Sequence, residues 1–180
     1  MLKKVPASQA LKRKYPEWID LVVSRGAIGG AFHAAAVNVM PVGWSTVASG
    51  TPLLYAVVIN AHHHTTRLIR ETREFVVAAP SAAMAAATLY CGTHSGRDGE
   101  KIEPSGLELV PATVVQVPLL RGAVYNLECT LHAEVESGDH VLFIGQVVAA
   151  HVDDEAGPRL MNFGDRWAVA QAVPETIFEH

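Results

Sequence analysis

Charge is scarce in this chain of 180 residues. Asp, Glu, Lys and Arg together make up 18% of it, against roughly 25% in an average soluble domain. No charged residue occurs in the 41 positions from Gly26 to Thr66, nor in the 22 from Phe75 to Gly96. The net charge of -4 lacks the basic surplus that a nucleic-acid partner demands. Long apolar runs are missing as well. A spanning helix needs about 20 continuous apolar residues, and the uncharged stretches are interrupted by Gly29, Gly30, Asn38, Pro41, Ser45, Gly50, Pro52, Pro80 and His94, so no membrane segment is expected. Cysteine occurs only at Cys91 and Cys129. That pair has neither metal-ligand spacing nor the density of a disulfide framework, which points to a reducing cytoplasm with both thiols as small core residues. Internal repeats, low-complexity linkers and composition shifts are also lacking.

What is present is a hydrophobic fraction of 49%, enough for a sizeable core and too much for disorder. The length suits one domain, expected over residues 1–180 at roughly 100–200 residues per domain. Lys3, Lys4, Lys12, Arg13 and Lys14 fall in a leading arm, residues 1–16, with no apolar stretch after them that would make a signal peptide. A solvated arm is expected there.

Periodicity favours strands. Trp18 to Ser24, Ala31 to Val39 and Leu53 to Asn60 are short segments rich in Val and Ile, punctuated by Gly and Pro. From Leu127 to Glu136 apolar and polar residues alternate strictly, the pattern of a half-buried antiparallel strand. Ser137-Gly138-Asp139 then turns into His140 to Val152, apolar on both faces, so a long hairpin covered on both sides of its second strand is expected. Two helices are predicted, Thr65 to Arg73 and an Ala-rich one over Ser81 to Tyr90 with Ser81 as N-cap. The fold class that follows is mainly β, an antiparallel barrel or sandwich with a few helices packed on it.

Several clusters could carry chemistry. His62, His63 and His64 are consecutive, yet neighbours in an extended chain point to opposite faces, so a turn or helix entry fits better than a metal site; no metal is expected. Ser95 in Gly92-Thr93-His94-Ser95-Gly96 stands one position late for a nucleophile elbow. The segment Ser95-Gly96-Arg97-Asp98-Gly99-Glu100-Lys101 places a hydroxyl, a permissive glycine and two cations in one turn, suited to a phosphate, although an ordinary polar loop with an Asp98–Lys101 ion pair reads equally well. Thr65, Thr66 and Arg67 repeat the theme at a predicted helix N-terminus. Asn38 to Ser49 combines an indole, an amide and hydroxyls without charge, the lining that a flat neutral heteroaromatic ring requires, or else Trp44 is a core aromatic.

The order NVMPVGWSTVASGTP, HHTTRLIRETREFVV, CGTHSGRDGEK, GLELVPA and NLECTLHAEVESGDHVLFIGQVVAAHVD resembles the flavin reductase-like family of FMN-binding split-barrel proteins, over roughly Trp18 to Asp153. The resemblance implies a split β-barrel of Greek-key type and a homodimer holding FMN near the subunit interface. It places Asn38, Trp44, Ser45, Thr46 and Ser49 along the isoalloxazine and ribityl chain, with Asn60 at the end of the next strand. It sets Thr65 and Thr66 at the helix entry near the phosphate, and Ser95, Gly96, Arg97 and Lys101 in the phosphate-binding turn. Ala79, Glu100 and Ile102 depart from the family's usual Asn, Asp and Phe. Residues 154–180 form an extension to which the resemblance assigns no role. The implied activity is that of an oxidoreductase, a flavin reductase or ferric reductase, in which NADH or NADPH, bound transiently, gives hydride to the bound FMN and a second flavin or a ferric complex collects the electrons, with no dedicated acid or base and hence no assigned catalytic residue. The alternative is a non-enzymatic FMN electron carrier of flavoredoxin type.

Overall fold

The computed structural model describes residues 2–26, 37–164 and 166–169. Helix α1 (Ala7–Leu11) and the two-residue β1 (Glu17–Trp18) lead into β2 (Asp20–Arg25), then β3 (Val37–Val42), β4 (Ser45–Gly50) and β5 (Leu53–Asn60). Helix α2 (His64–Thr72) and β6 (Glu74–Ala79) follow, and a 3-10 turn (Ala82–Met84) opens α3 (Ala85–Thr93). The short α4 (Ile102–Ser105), β7 (Leu109–Val110) and β8 (Leu119–Leu120) precede the long β9 (Tyr125–Ser137) and β10 (His140–Val152), and β11 (Leu160–Asn162) and β12 (Trp167–Val169) close the described chain.

Seven strands form one antiparallel sheet in the order β3-β2-β6-β9-β10-β5-β4. The fold is therefore mainly β with few helices, as expected. Among the described residues the pairing leaves β3 and β4 as edges, so hydrogen bonds do not close the sheet into a complete barrel. Each face carries its own core. Val22, Val57, Ile59, Phe75, Val141 and Phe143 pack on one side with Ile69 of α2. Leu21, Val23, Val39 and Val76 pack on the other under α3, α4 and the 107–123 segment. Strands β2 and β6 are thus buried on both faces, which is why their sequences read as continuous apolar runs rather than alternating ones.

The long hairpin forms, but its alternation breaks. Ile144 pairs with Ala133 and Gly145 with Leu131, so β9 carries an extra residue, His132, at a bulge. Beyond it the phase flips: Cys129 and Leu131 are buried, while Val135 is 51% exposed. Gly145 is required at this point, because a Cβ there would stand 2.5 Å from Phe75 Cζ and 2.8 Å from Cys129 Cβ. The expectation that β10 is covered on both sides holds only for its inner face. Val141 and Phe143 are fully buried, but Leu142 and Ile144 are half-buried and Val152 is 76% exposed. On β9 the polar face also departs from expectation, since Glu128 is fully buried. Its carboxylate accepts the Thr113, Val114 and Val115 amides at 2.7–2.9 Å, the Thr113 hydroxyl at 2.7 Å, and pairs with His151 Nε2 at 2.7 Å. Those donors tie down a loop that secondary structure leaves free.

Other predicted boundaries shift. Ser81 does not cap a helix through its side chain, and the regular α-helix starts only at Ala85. The predicted first strand divides around Ile19 into β1 and β2. Residues 31–36 of the predicted strand Ala31 to Val39 lie outside the described residues. The leading arm is mostly exposed, though Lys14 joins it to the body through an ion pair with Glu17 and an approach of 5.5 Å to the Trp44 ring. Both cysteines are buried and free, and burial pushes the Cys129 thiol up to about 12, so neither is poised to react. No helix among the described residues is long and apolar enough to cross a membrane.

Candidate functional site

Three segments meet where β3, the start of α2 and the end of α3 converge, enclosing a cleft of about 310 Å3. Asn38, Thr65, Ser95, Gly96, Arg97 and Lys101 all line it, together with Met40, Pro41 and His62 to His64. Residues separated by up to 63 positions in sequence thus share one wall. Asn38 Nδ2 donates to Thr65 Oγ1 at 2.9 Å, joining β3 to the first turn of α2. Gly96 packs directly on that bond: a Cβ would lie 2.3 Å from Asn38 Oδ1 and 3.1 Å from His64 Cδ2. Gly92 similarly lets α3 end against Pro41, whose Cγ would be 2.9 Å from a Cβ. The Ser95 hydroxyl accepts the Arg97 amide at 3.2 Å, and the Arg97 guanidinium donates to the His62 carbonyl, so the 95–97 turn is tied to the 61–63 turn across the cleft.

The lining contains two cations, several hydroxyls and the α2 N-terminus, but no carboxylate. A helix N-terminus offers unpaired N–H groups and a positive dipole end, and α2 has no side-chain cap to satisfy them. Burial, with the neighbouring His140 and Arg97, holds the His63 imidazole below its usual value. Burial together with Arg67 and Arg97 does the same for His64. Both rings are therefore neutral at pH 7, and the positive field comes from guanidinium, ammonium and backbone groups. The donor set fits a phosphoryl group.

Lys101 sits in this wall differently from the expectation. Its ammonium is buried and donates to the Val39 carbonyl at 2.6 Å and the Cys91 carbonyl at 2.7 Å, and it makes no pair with Asp98. Burial draws its pKa below the usual lysine value. The side chain is a strut between β3 and α3 as much as a source of charge.

From Met40, Pro41 and His63 the groove continues past Gly43 and the Glu17 carboxylate, which is paired with Lys14, to Trp44, Asn60 and His140. Trp44 is half exposed, with its ring centroid 5.0 Å from that of His140. Asn60 holds the turn into α2: its side-chain oxygen accepts the His62 amide and its carbonyl accepts the Thr66 hydroxyl. Trp44, Ser45 and Thr46 also border a larger apolar cavity of about 670 Å3 with Trp18, Ala56, Val58 and Leu142. The three hydroxyls of β4 have protein partners. Ser45 donates to buried Asp20 at 2.6 Å, Thr46 to the Val47 carbonyl at 3.4 Å, and Ser49 accepts the Thr51 amide at 3.3 Å. Ser49 borders none of these cavities and Thr66 lies on the far side of the 61–63 turn. Sequence reasoning missed His140 and the wall made by His63 and His64. The register Asn60↔His140 follows from pairing the two strongest strand segments, and would have set His140 beside the groove.

A sequence profile described as a flavin reductase-like domain matches residues 13–170. The chain belongs to the flavin reductase-like family. An uncharacterized protein of Pyrococcus abyssi is 36% identical over 142 residues, 79% of this chain and 77% of that one. Among solved structures, an FMN-binding protein from Thermus thermophilus with bound p-hydroxybenzaldehyde superposes with a TM-score of 0.77 at 26% identity, covering 97% of each chain. An NADH:FAD oxidoreductase from Streptomyces globisporus gives a TM-score of 0.79 at 21% identity, over 96% of this chain and 98% of that one; at this identity it speaks to the fold alone. Within a flavin reductase-like protein, the phosphate-suited cleft and the groove beside it are candidates for the two ends of a flavin.

Proposed function

We propose that this protein is an oxidoreductase that holds FMN with its phosphate in the cleft between Thr65 and the Ser95-Gly96-Arg97 turn, and its ring along Met40, Pro41 and Trp44. The observation that carries the reading is the carboxylate-free cleft at an uncapped helix N-terminus, opening into a groove whose one carboxylate, Glu17, is paired with Lys14. Arg97 and the α2 amides neutralise the phosphate, Asn38 and Gly96 fix the depth of the cleft, and the half-exposed Trp44 and His140 leave the far end of the groove open to a second reactant. When bound, the flavin supplies hydride and electron transfer. The protein's own residues would bind and orient it, and the hydroxyls of Ser45 and Tyr55, by donating to buried Asp20, hold β4 and β5 to the start of β2.

NADH or NADPH is the proposed transient donor. A homodimer is proposed across the outer face of β4, β5 and β10, where Val47 and Leu53 are 60% and 43% exposed beside half-buried Leu142; light scattering should return twice the 19.3 kDa chain mass. The test of function is to load the purified protein with FMN and mix it anaerobically with NADH and NADPH. Bleaching of the flavin absorbance within seconds supports the reductase. Flavin uptake without bleaching by either nucleotide points to an electron carrier, and a protein that takes up no flavin overturns the proposal.

A further inference from the structure

Three methionines fall among the described residues, and Met40 stands apart from the other two. Met84 and Met161 lie in the interior, 8% and 9% exposed, whereas Met40 is half-buried on the edge strand β3 and lines both the cleft and the groove. Its side chain packs against the core around Phe75 and Phe143, yet its sulfur meets polar groups. The Thr65 hydroxyl donates to Sδ at 3.6 Å, and His63 Nδ1 stands 3.2 Å from the same atom. Asn38 holds Thr65 in that pose by donating to its oxygen at 2.9 Å, which leaves the hydroxyl proton for the sulfur. The His63 ring is neutral at pH 7, because burial and the nearby His140 and Arg97 lower its pKa. Its proton sits on Nδ1, since a nitrogen lone pair facing a sulfur lone pair at that distance would be repelled. Two donors therefore converge on a thioether, which is only a weak acceptor.

We propose that Met40 is a site of reversible oxidation to the sulfoxide by hydrogen peroxide, and that the modified side chain weakens flavin binding in the groove. The second half rests on the flavin reading above, which lays the ring along Met40. Hydrogen peroxide is the two-electron reduction product of dioxygen, so a protein that passes electron pairs in air meets it. The sulfur lone pair attacks one peroxide oxygen; an S–O bond forms and the O–O bond breaks. Sulfur loses two electrons to the peroxide, the departing hydroxide takes the proton of the transferred oxygen, and the products are the sulfoxide and water. A sulfoxide oxygen is a much stronger acceptor than a thioether, and the Thr65 hydroxyl and His63 N–H that converge on the sulfur are within reach of it. The site thus favours the oxidised form through hydrogen bonds that the thioether makes poorly. Oxidation turns a flexible apolar side chain into a polar one. The added oxygen takes up room along the wall against which the ring would lie, and the ring would have to bury a polar group there.

The test treats the full chain, free of flavin, with hydrogen peroxide and follows each methionine by peptide mass mapping. Met40 should gain one oxygen about tenfold faster than Met84 and Met161. Titration of the treated chain with FMN should show an affinity lowered by about tenfold, and incubation with methionine sulfoxide reductases should restore it. Met40→Leu has no sulfur to oxidise at this place, so peroxide should leave its FMN affinity at whatever value it had before treatment. Oxidation of Met40 no faster than that of the two buried methionines overturns the inference. So does complete oxidation of Met40 with FMN affinity unchanged, an affinity that the reductases do not restore, or an equal loss in Met40→Leu, which would trace the effect to damage elsewhere. A natural chain that takes up no flavin before treatment overturns the flavin reading, and the mass mapping then decides the modification by itself.

Discussion

Lys101→Met removes an ammonium while keeping a long unbranched side chain, and so separates a strut from a phosphate clamp. Lys101 is 3% exposed, with its Nζ 2.6 Å from the Val39 carbonyl and 2.7 Å from the Cys91 carbonyl. Hydrogen bonds from a charged donor contribute about 1.5–3 kcal/mol each. Part of that is offset by the cost of burying the ammonium, the same cost that draws its pKa down. The net loss expected is about 2–4 kcal/mol, or roughly 5–15 °C in Tm for a chain of this size. Thermal and urea unfolding followed by circular dichroism measure it, and titrations with FMN and riboflavin at a temperature where the variant is folded complete the test. Both flavins should weaken together, because the Val39 and Cys91 carbonyls flank the cleft and the substitution frees β3 from α3. An unchanged Tm with a tenfold loss confined to FMN would refute the strut and make Lys101 a direct phosphate ligand.

Further consequences are open to measurement. Arg97→Gln should weaken FMN by about tenfold, the worth of one charge-assisted contact, while riboflavin, which has no phosphate, changes little; equal losses would place the phosphate elsewhere. Gly96→Ala drives a methyl to within 2.3 Å of Asn38 Oδ1, which should break the Asn38–Thr65 bond and cost about 1–3 kcal/mol of stability along with most flavin affinity. A variant that binds FMN normally would show that the 95–97 turn yields. Burial raises the Glu128 pKa, but the Thr113 and Val115 amides, the Thr113 hydroxyl and His151 outweigh it and hold the carboxyl at about 2, against an ordinary 4.5. The folded pKa is depressed, so this stabilisation, about 3 kcal/mol, is complete above pH 4.5 and is lost as pH falls toward 2. Glu128→Gln should lower stability at pH 7 and flatten that acid limb, and an unchanged profile from pH 5 to pH 2 would contradict it.

Much of the fold was legible because its signals are local. Leu53–Asn60 was predicted with both boundaries as observed, and the 127–152 hairpin carried alternation on one side of a Ser-Gly-Asp turn. Helix α2 was visible from its apolar pair Leu68 and Ile69, both buried. The phosphate-suited turn was readable because Ser, Gly and Arg fall within three positions. What escaped the sequence was set by contacts across the chain. The bulge at His132 reverses the inward face of β9 at the point where Gly145 of β10 comes close to Phe75 of β6 and to Cys129, a meeting of three strands that the local pattern of β9 does not contain. The Asp20 cluster is of the same kind. Its carboxylate binds Ser45, Tyr55, Tyr125 and Arg159, from four separate segments, and nothing near Asp20 in sequence announces them.

Lys101 shows most clearly how a motif can be found and its chemistry still depend on the fold. The sequence places a lysine four residues after Arg97, and on composition the two cations are equivalent. The structure sends them in opposite directions. Arg97 remains exposed and bridges the two turns that bound the cleft, whereas Lys101 passes inward beneath α3 to meet two carbonyls. The uncharged run that ends at Thr66 explains why that inward path needs a lysine. The edge strand β3 brings the Val39 carbonyl to the end of α3, where the Cys91 carbonyl has run out of helical donors, and the Lys101 ammonium donates to both. A buried ammonium at that place satisfies the carbonyls that its neutral surroundings leave unpaired, and its charge lies at the back of the cleft rather than at its mouth.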